Sequence, residues 1–226
     1  GGFGSFARGE LAATGALLRY VELTQIGKKP MIRPPKRTGA SSILQIDAAS
    51  RASLELTRST SGEKAGSLID AIDRTVTGAG ARELQARIAS PLRDVRQIAA
   101  RHDAVGFLIE AETAREDIRA ALKAAPDIAR AVARLAFARG SPRDLSAIRD
   151  GLKAAVACAR LLERAAGAMG LPEELAGLVQ RLGSVDGNLQ RELELAIVEE
   201  PPHLKRDGGF IRPGYRAELD EAIKLR

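Results

Sequence analysis

Few residues of this chain have the type and spacing that catalysis or metal binding requires. The 226 residues include two histidines, His102 and His203, and one cysteine, Cys158. His102 lies on an apolar helical stripe, which predicts a core or boundary histidine, and His203 follows Pro202 in a predicted solvated loop. A structural zinc site needs four clustered ligands, mostly Cys and His. We therefore predict no metal site and no catalytic residue in this chain.

Sequence patterns that bind nucleotide phosphates are also missing. No G-x-x-x-x-G-K-[ST] loop occurs. Gly78-Ala79-Gly80 lacks the further glycine of a dinucleotide fingerprint and does not follow a strong strand, so it predicts a turn. The carboxylate pairs Glu173-Glu174 and Glu199-Glu200 fall at predicted helix ends, and the first pair suits the positive end of a helix dipole. No cofactor site is predicted within these residues.

The composition indicates helices. Hydrophobic residues make up 45% of the chain, but aromatic residues make up only 3% and Trp is absent. Alanine loses no side-chain entropy in a helix, whereas sheets favour β-branched and aromatic residues. We predict an all-α fold, an irregular multi-helix core of about nine helices with at most one short strand.

Charge and cysteine usage limit the possible surroundings. The net charge is +6 and the pI is about 9.8. A basic chain is compatible with a nucleic-acid partner, but Arg and Lys are mixed with Glu and Asp along predicted helices, which favours solvated helix faces; both interpretations stay open. A single cysteine forms no internal disulfide, and no apolar run of about 18 residues predicts a membrane span. We expect a reducing, cytoplasmic location.

Prolines and capping residues set the predicted boundaries in the first part of the chain. An apolar stripe predicts a helix over residues 9–25. Residues 27–37 contain three prolines and predict a basic extended tether, with phosphate contact as the alternative. Residues 42–46 alternate as one short strand, and Asp47 caps a helix predicted over residues 48–57.

Similar signals divide the middle of the chain. Ser67 and Asp70 predict the start of a short helix, and a turn at residues 77–80 leads into a helix over residues 81–89. Asp94 caps the next helix. Its predicted apolar stripe consists of Val95, Ile98, His102, Val105 and Ile109.

The longest predicted helix covers residues 142–166. Gly140 ends the helix before it, Ser141 caps it, Pro142 takes its first position and Asp144 its third. An alternation of three and four residues predicts coiled-coil-like packing along one face. That face consists of Leu145, Ile148, Leu152, Ala155, Ala159, Leu162 and Ala166. Shorter helices are predicted over residues 113–124, 127–138, 172–182 and 185–198.

Four stretches together are similar to one family. They are residues 9–25 (GELAATGALLRYVELTQ), 45–57 (QIDAASRASLELT), 75–94 (TVTGAGARELQARIASPLRD) and the turn and helix at 207–221. In this order and at these separations they resemble the core, or lever, domain of the MutS family of bacterial DNA mismatch-recognition ATPases. The resemblance covers nearly the whole chain. One departure is Arg87, which stands where family members commonly have Trp.

The resemblance implies two parts. Residues 1–38 would hold the end of a connector, the first core helix and the tether, and residues 39–226 a helical core with long lever helices. The last helix runs to Arg226 in mid-pattern, so we expect a piece of a longer protein. Within the family, the Phe-x-Glu mismatch wedge and the phosphate-binding loop lie outside the matching stretches. The resemblance therefore implies a segment that is not itself an enzyme.

Cofactors and partners are likewise implied only for a parent protein. The resemblance implies ATP and Mg²⁺, double-stranded mismatched DNA, a homodimer, downstream repair proteins such as MutL, and a nucleoid-associated location in the cytoplasm. Structural roles carry over to Arg82, as an inter-helix hydrogen-bond donor, and to the turn of Asp207, Gly208 and Gly209, whose glycines permit unusual backbone angles. Two alternatives stay open: a paralogue used in other DNA transactions, and a free-standing helical adaptor for a protein partner.

Overall fold

The regular secondary structure of the described part of the chain is helical. The computed structural model describes residues 6–24, 32, 34–35 and 43–225. Within them eleven α-helices form, more than the nine predicted. The helices are α1 (Arg8–Thr24), α2 (Ala48–Ser53), α3 (Leu68–Ile72), α4 (Gly78–Ala89), α5 (Val95–Glu110), α6 (Glu112–Ala124), α7 (Ile128–Ala136), α8 (Pro142–Ala166), α9 (Glu173–Gly183), α10 (Gly187–Ala196) and α11 (Ala217–Lys224). A 3-10 turn at Lys205–Asp207 separates α10 from α11.

Extended pairing is minimal. The described residues contain two isolated antiparallel bridges, Ile43 with Leu92 and Ile197 with Ile211, and no strand. The strand predicted over residues 42–46 therefore reduces to the first bridge, and Ser42 lies outside the described residues. Most of the predicted tether also lies outside them. No described helix is long and apolar enough to cross a membrane.

Most predicted caps are confirmed. The Asp47 carboxylate accepts a hydrogen bond from the Ser50 amide at 2.8 Å, and Asp94 accepts from Arg96 and Gln97 at 2.9 and 3.2 Å. A side-chain acceptor at this position satisfies a backbone N–H that has no partner within the helix. Short-range capping chemistry therefore places these helix starts correctly.

Two boundaries differ from the prediction. Helix α2 ends at Ser53 rather than at residue 57, because the next residues turn and their carbonyls accept hydrogen bonds from the start of α3, at 2.9 Å for Leu68 and 3.1 Å for Ile69. The turn predicted at residues 77–80 is the first turn of α4. There the Thr77 hydroxyl accepts the Gly80 N–H at 2.9 Å and caps the helix.

The buried face of α5 is not the predicted stripe. Val95, Val105 and Ile109 are 77%, 57% and 64% exposed, and His102 is exposed as well. The core side is formed instead by Ala104, Phe107 and Leu108, which pack with Leu162 and Leu175. The expectation of a core or boundary histidine at position 102 is therefore wrong. Both faces repeat with helical spacing, and only tertiary packing chooses between them.

Helix α8 is the central element. It contacts α6, α7, α9 and α10, so it is buried on several sides and not along one seam. Its first half carries Leu145 and Ile148 into a cluster with Leu193 and Ile197. Its second half carries Leu162 into the cluster around Ala104 and Leu175. With about 1.5 Å of rise per residue, this one helix of 25 residues connects two hydrophobic clusters over about 37 Å.

Gly151 allows α7 to approach α8 closely. A Cβ at position 151 would lie 2.3 Å from Cγ1 and 2.4 Å from Cδ1 of Ile128. The branched Ile side chain has few rotamers to escape such a clash. Glycine in a helix interior costs about 1 kcal/mol relative to alanine, and the close contact explains why it is nevertheless present.

Replacing Gly151 tests this contact. We expect Gly151→Ala to lower the free energy of unfolding by about 1–3 kcal/mol, because overpacking outweighs the gain in helix propensity. Urea unfolding of the chain measures the change. Gly106→Ala in α5 is the matched control, because a Cβ there meets nothing within 4 Å; it should be neutral or stabilising by up to about 1 kcal/mol. Equal effects of the two changes would contradict the proposed contact.

Candidate functional site

The side chain of Arg149 joins α8 to the chain that leaves α10. Its guanidinium donates hydrogen bonds to the carbonyl oxygens of Ile197 at 3.2 Å, Val198 at 3.0 Å and Glu199 at 3.3 Å, and to the carboxylate of Asp150 at 2.8 Å. The Arg149 side chain is only 9% exposed. A buried guanidinium needs such partners, because an unpaired buried charge is strongly destabilising. We call this set of contacts the Arg149 junction.

The segment before α11 is fixed at the same junction. The Arg212 guanidinium donates to the Ile197 carbonyl at 2.9 Å, and the Arg212 amide donates to the Ala196 carbonyl at 2.8 Å. Arg143, six residues before Arg149 on α8, donates to the Pro201 carbonyl at 3.1 Å. The residues on both sides of the 3-10 turn are therefore held against the first half of α8.

The turn predicted to have structural importance lies between these contacts. Gly208 and Gly209 have φ values of +66° and +67°, in the left-handed region that favours glycine. Asp207 ends the 3-10 turn, is exposed, and its carboxylate lies 4.0 Å from Arg206 Nε. Arg212 comes three residues after Gly209. The turn thus directs the chain back toward the end of α10.

A second set of contacts links α4 to the start of α7, and α7 to the start of α8. The Arg82 guanidinium of α4 donates to the Asp127 carboxylate at 2.8 Å, and Asp127 also caps α7 by accepting the Arg130 N–H at 3.3 Å. Arg134 of α7 donates in turn to the Asp144 carboxylate of α8, at 2.7 Å from Nε and again from an Nη. Arg82 of α4 therefore binds the aspartate at the start of α7, and Arg134 of α7 binds the aspartate at the start of α8. We call these two contacts the N-terminal links.

Electrostatics favour the ionised aspartates. The Arg82 hydrogen bond holds the pKa of Asp127 below its usual value. At Asp144, burial acts to raise the pKa, but hydrogen bonds from Arg134 and from the Ser141 amide at 2.8 Å outweigh it and leave the pKa lowered. The Asp144 side chain is 4% exposed, whereas Arg134 is 51% exposed. Within this pair the Asp144 carboxylate is thus almost completely removed from water, and the Arg134 side chain remains about half exposed.

The groups that first suggested chemistry are dispersed. His102 is exposed on α5, His203 is exposed beyond α10, and Cys158 is buried in α8, where burial raises the pKa of its thiol. Glu174 lies 3.6 Å from Arg101 and 3.9 Å from Arg87, so the Arg that replaces the family's common Trp contacts α9. Among the described residues, no three or more His, Cys, Asp and Glu side chains form a group that could hold a metal ion.

The contacts brought together here hold helices against one another. The Arg149 junction and the N-terminal links join different helices through directional contacts to charged groups. Such hydrogen bonds are stronger than those between neutral groups. They fix the relative register of α4, α7, α8 and α10, and with it the start of α11.

The chain was compared with protein-family models. Residues 49–226 match the model described as MutS domain III. The chain belongs to the MutS domain III family. The match begins within α2 and includes the Arg149 junction and the N-terminal links.

Several curated relatives are similar over the whole chain. A DNA mismatch repair protein MutS from Ruegeria pomeroyi is 51% identical over 100% of this chain and 25% of that protein. Proteins of the same name are 49% identical in Azorhizobium caulinodans, over 99% of this chain and 24% of that protein, and 48% identical in Paracoccus denitrificans, over 100% and 25%. The chain thus spans about a quarter of the length of the relatives it matches.

Arg82 of this MutS domain III was predicted from the sequence as an inter-helix hydrogen-bond donor. Arg149 and Arg134 were not predicted. A signal for Arg149 was present: it follows Ile148 directly and lies four residues after Leu145, on the side of α8 that carries the apolar stripe. A charged residue so close to a stripe predicts a buried partner. Nothing in the local sequence names that partner, because the carbonyls it binds lie almost fifty residues away at positions 197–199.

Acidification should weaken the Asp144 contacts. Because the folded-state pKa lies below the ordinary value of 3.8, the ionised Asp144 stabilises the fold above about pH 4, and this contribution is lost as pH falls through the folded-state pKa. We expect Asp144→Asn to lower the free energy of unfolding by about 1–2 kcal/mol at pH 7. The loss should shrink below about pH 4, where the unfolded-state carboxyl becomes protonated first and the folded-state carboxyl follows at lower pH. Urea titrations between pH 3 and pH 7 measure the difference.

The matched control for this prediction is Asp103→Asn. Asp103 is exposed on α5, and the described residues give it no hydrogen bond or ion pair. Its substitution should change stability by less than about 0.5 kcal/mol at every pH. A loss at Asp144→Asn that stays constant from pH 7 to pH 3 would contradict the electrostatic origin.

Proposed function

We propose that this chain is the core, or lever, domain of a DNA mismatch-repair ATPase and couples the nucleotide state of that protein to its grip on DNA. Membership of the MutS domain III family and the names of the relatives support a mismatch-repair role. In this proposal ATP hydrolysis, with Mg²⁺, takes place in another domain of the parent. Double-stranded mismatched DNA, a second copy of the parent and MutL are its proposed partners.

One observation supports the lever role more than any other. Helix α8 connects two hydrophobic clusters and is joined by charged contacts to α7 and to the chain that leaves α10, which in turn accepts a hydrogen bond from Arg212 of the segment before α11. A displacement at one end of such a helix is passed to the other end, because close-packed and hydrogen-bonded elements move as a unit and have few alternative arrangements. Coupling requires that ligands at the two sites favour different arrangements.

The proposal can be tested in the full-length parent with Arg149→Met, numbered as in this chain. Methionine retains much of the side-chain volume but loses the hydrogen bonds of the Arg149 junction. We expect basal ATP hydrolysis and mismatch affinity without nucleotide to stay near wild type, since neither site includes Arg149 in this proposal. The acceleration of DNA release by ATP should fall by about tenfold, which corresponds to about 1.4 kcal/mol of coupling. Stopped-flow fluorescence of labelled mismatched DNA measures it.

Arg160→Met is the control, because Arg160 is exposed on the same helix. A second, milder variant, Asp127→Asn, keeps an N-cap acceptor but removes the charge that binds Arg82. It should reduce the coupling less than Arg149→Met does. Wild-type coupling in a folded Arg149→Met protein, judged by its circular dichroism, would refute the proposed role of the junction.

DNA binding by the chain alone gives a separate prediction. We expect weak binding to duplex DNA, equal for fully paired and mismatched sequences, because the net charge of +6 attracts phosphate without reading bases. The affinity should fall steeply as salt rises. Fluorescence anisotropy measures both effects, with fully paired and mismatched duplexes of equal length, about 30 base pairs, at about 50 to 200 mM salt. A clear preference of the chain for mismatched DNA would show that it carries a recognition element of its own.

A further inference from the structure

A cavity of about 450 Å³ lies on one side of α8, between the N-terminus of α4 and helices α6, α7 and α9. Its walls are apolar and include Ile118, Leu122, Leu178 and Leu182. No described residue fills it. The cavity is partly open to solvent. Helices that pack closely normally leave no gap of this size between them, so the opening needs a physical explanation.

Small residues on α8 create the opening. Ala154, Ala155 and Cys158 line the cavity, and their short side chains do not reach across to α6 and α9. At one end of the cavity α7 contacts α8 tightly at Gly151. The helices therefore touch at one point and stand apart beside it.

Polar contacts at the edge prevent the helices from closing the gap. Arg82 binds Asp127 at 2.8 Å beside the cavity, and Arg119 of α6 donates to the Arg74 carbonyl at 2.9 Å. Moving α4 or α6 inward would break these charge-assisted hydrogen bonds. The void is thus built into the arrangement of helices that the N-terminal links maintain.

The polar side chains that face the cavity, Thr77 and Asp127, already have partners. Asp127 accepts from Arg82 and from Arg130, and the Thr77 hydroxyl accepts the Gly80 N–H at 2.9 Å. A charged ligand would lose its hydration here without gaining a counter-ion. Volumes of about 300–1,000 Å³ with mostly apolar walls are typical of small-molecule sites. We infer that this cavity binds an uncharged, apolar or aromatic small molecule, and that binding stabilises the arrangement of α4, α7 and α8.

Cys158 provides a direct report of occupancy. It is the one cysteine of the chain, it is 6% exposed, and it forms part of the cavity wall. Its modification by N-ethylmaleimide therefore follows access to the cavity. With indole as the probe, at about ten times its Kd, we expect modification to slow about tenfold and the Tm of the chain to rise with a saturable dependence on indole.

Two controls make the test specific. Indole-3-carboxylate has the same ring system with a negative charge and should neither protect Cys158 nor raise the Tm. Ala155→Met extends a side chain from α8 into the space and should abolish the indole effects, whereas Arg160→Met on the exposed side of α8 should retain them. If Ala155→Met does not fold, the comparison of indole with its carboxylate decides. Unchanged labelling of Cys158 and an unchanged Tm at a saturating concentration of indole would overturn the inference. Equal protection by indole-3-carboxylate would overturn it as well.

Discussion

Charges buried along α8 constrain the rest of the structure. Asp144 and Arg149 are both nearly excluded from water, and each would be strongly destabilising without a partner. Their partners come from other elements: Arg134 of α7 for Asp144, and the carbonyls at the end of α10 for Arg149. Apolar contacts alone are non-directional and would tolerate sliding of one helix past another. Hydrogen bonds have narrow distance and angle limits, so these pairs set the register of α7 and α10 on α8.

Small side chains on α8 have two opposite consequences. At Gly151 the missing Cβ allows Ile128 of α7 to pack directly on the helix backbone. A short distance away, Ala154, Ala155 and Cys158 leave the apolar cavity open, because charged contacts at its edge hold α4 and α6 in place. Tight and loose packing thus occur side by side on one helix. The two hydrophobic clusters hold α8 near its two ends, so its position does not depend on tight packing at every turn.

The contrast between α5 and α8 explains which predictions succeeded. Each start signal that depended on residues within one turn, such as Asp47, Asp94 and Ser141 with Asp144, placed a helix correctly. The prediction of the buried face was wrong for α5, where His102 is exposed and Ala104 is buried. It was incomplete on α8, where neighbours on several sides bury Asp144, Ser146 and Arg149, whereas only Ala159 and Leu162 of the predicted stripe are fully buried. Which face is buried depends on neighbours that periodicity does not identify.

The sequence by itself determined the all-α class, most helix boundaries and the family, because composition, capping and motif spacing are local properties of the chain. Only the tertiary structure decided which arginine binds which partner. Arg82 meets Asp127 across 45 positions, and Arg149 meets the carbonyls of residues 197–199 across 48 to 50 positions. Backbone carbonyls carry no residue signature, and many arginines compete for each aspartate. The packing of whole helices therefore selects these pairs, and no local pattern encodes that selection.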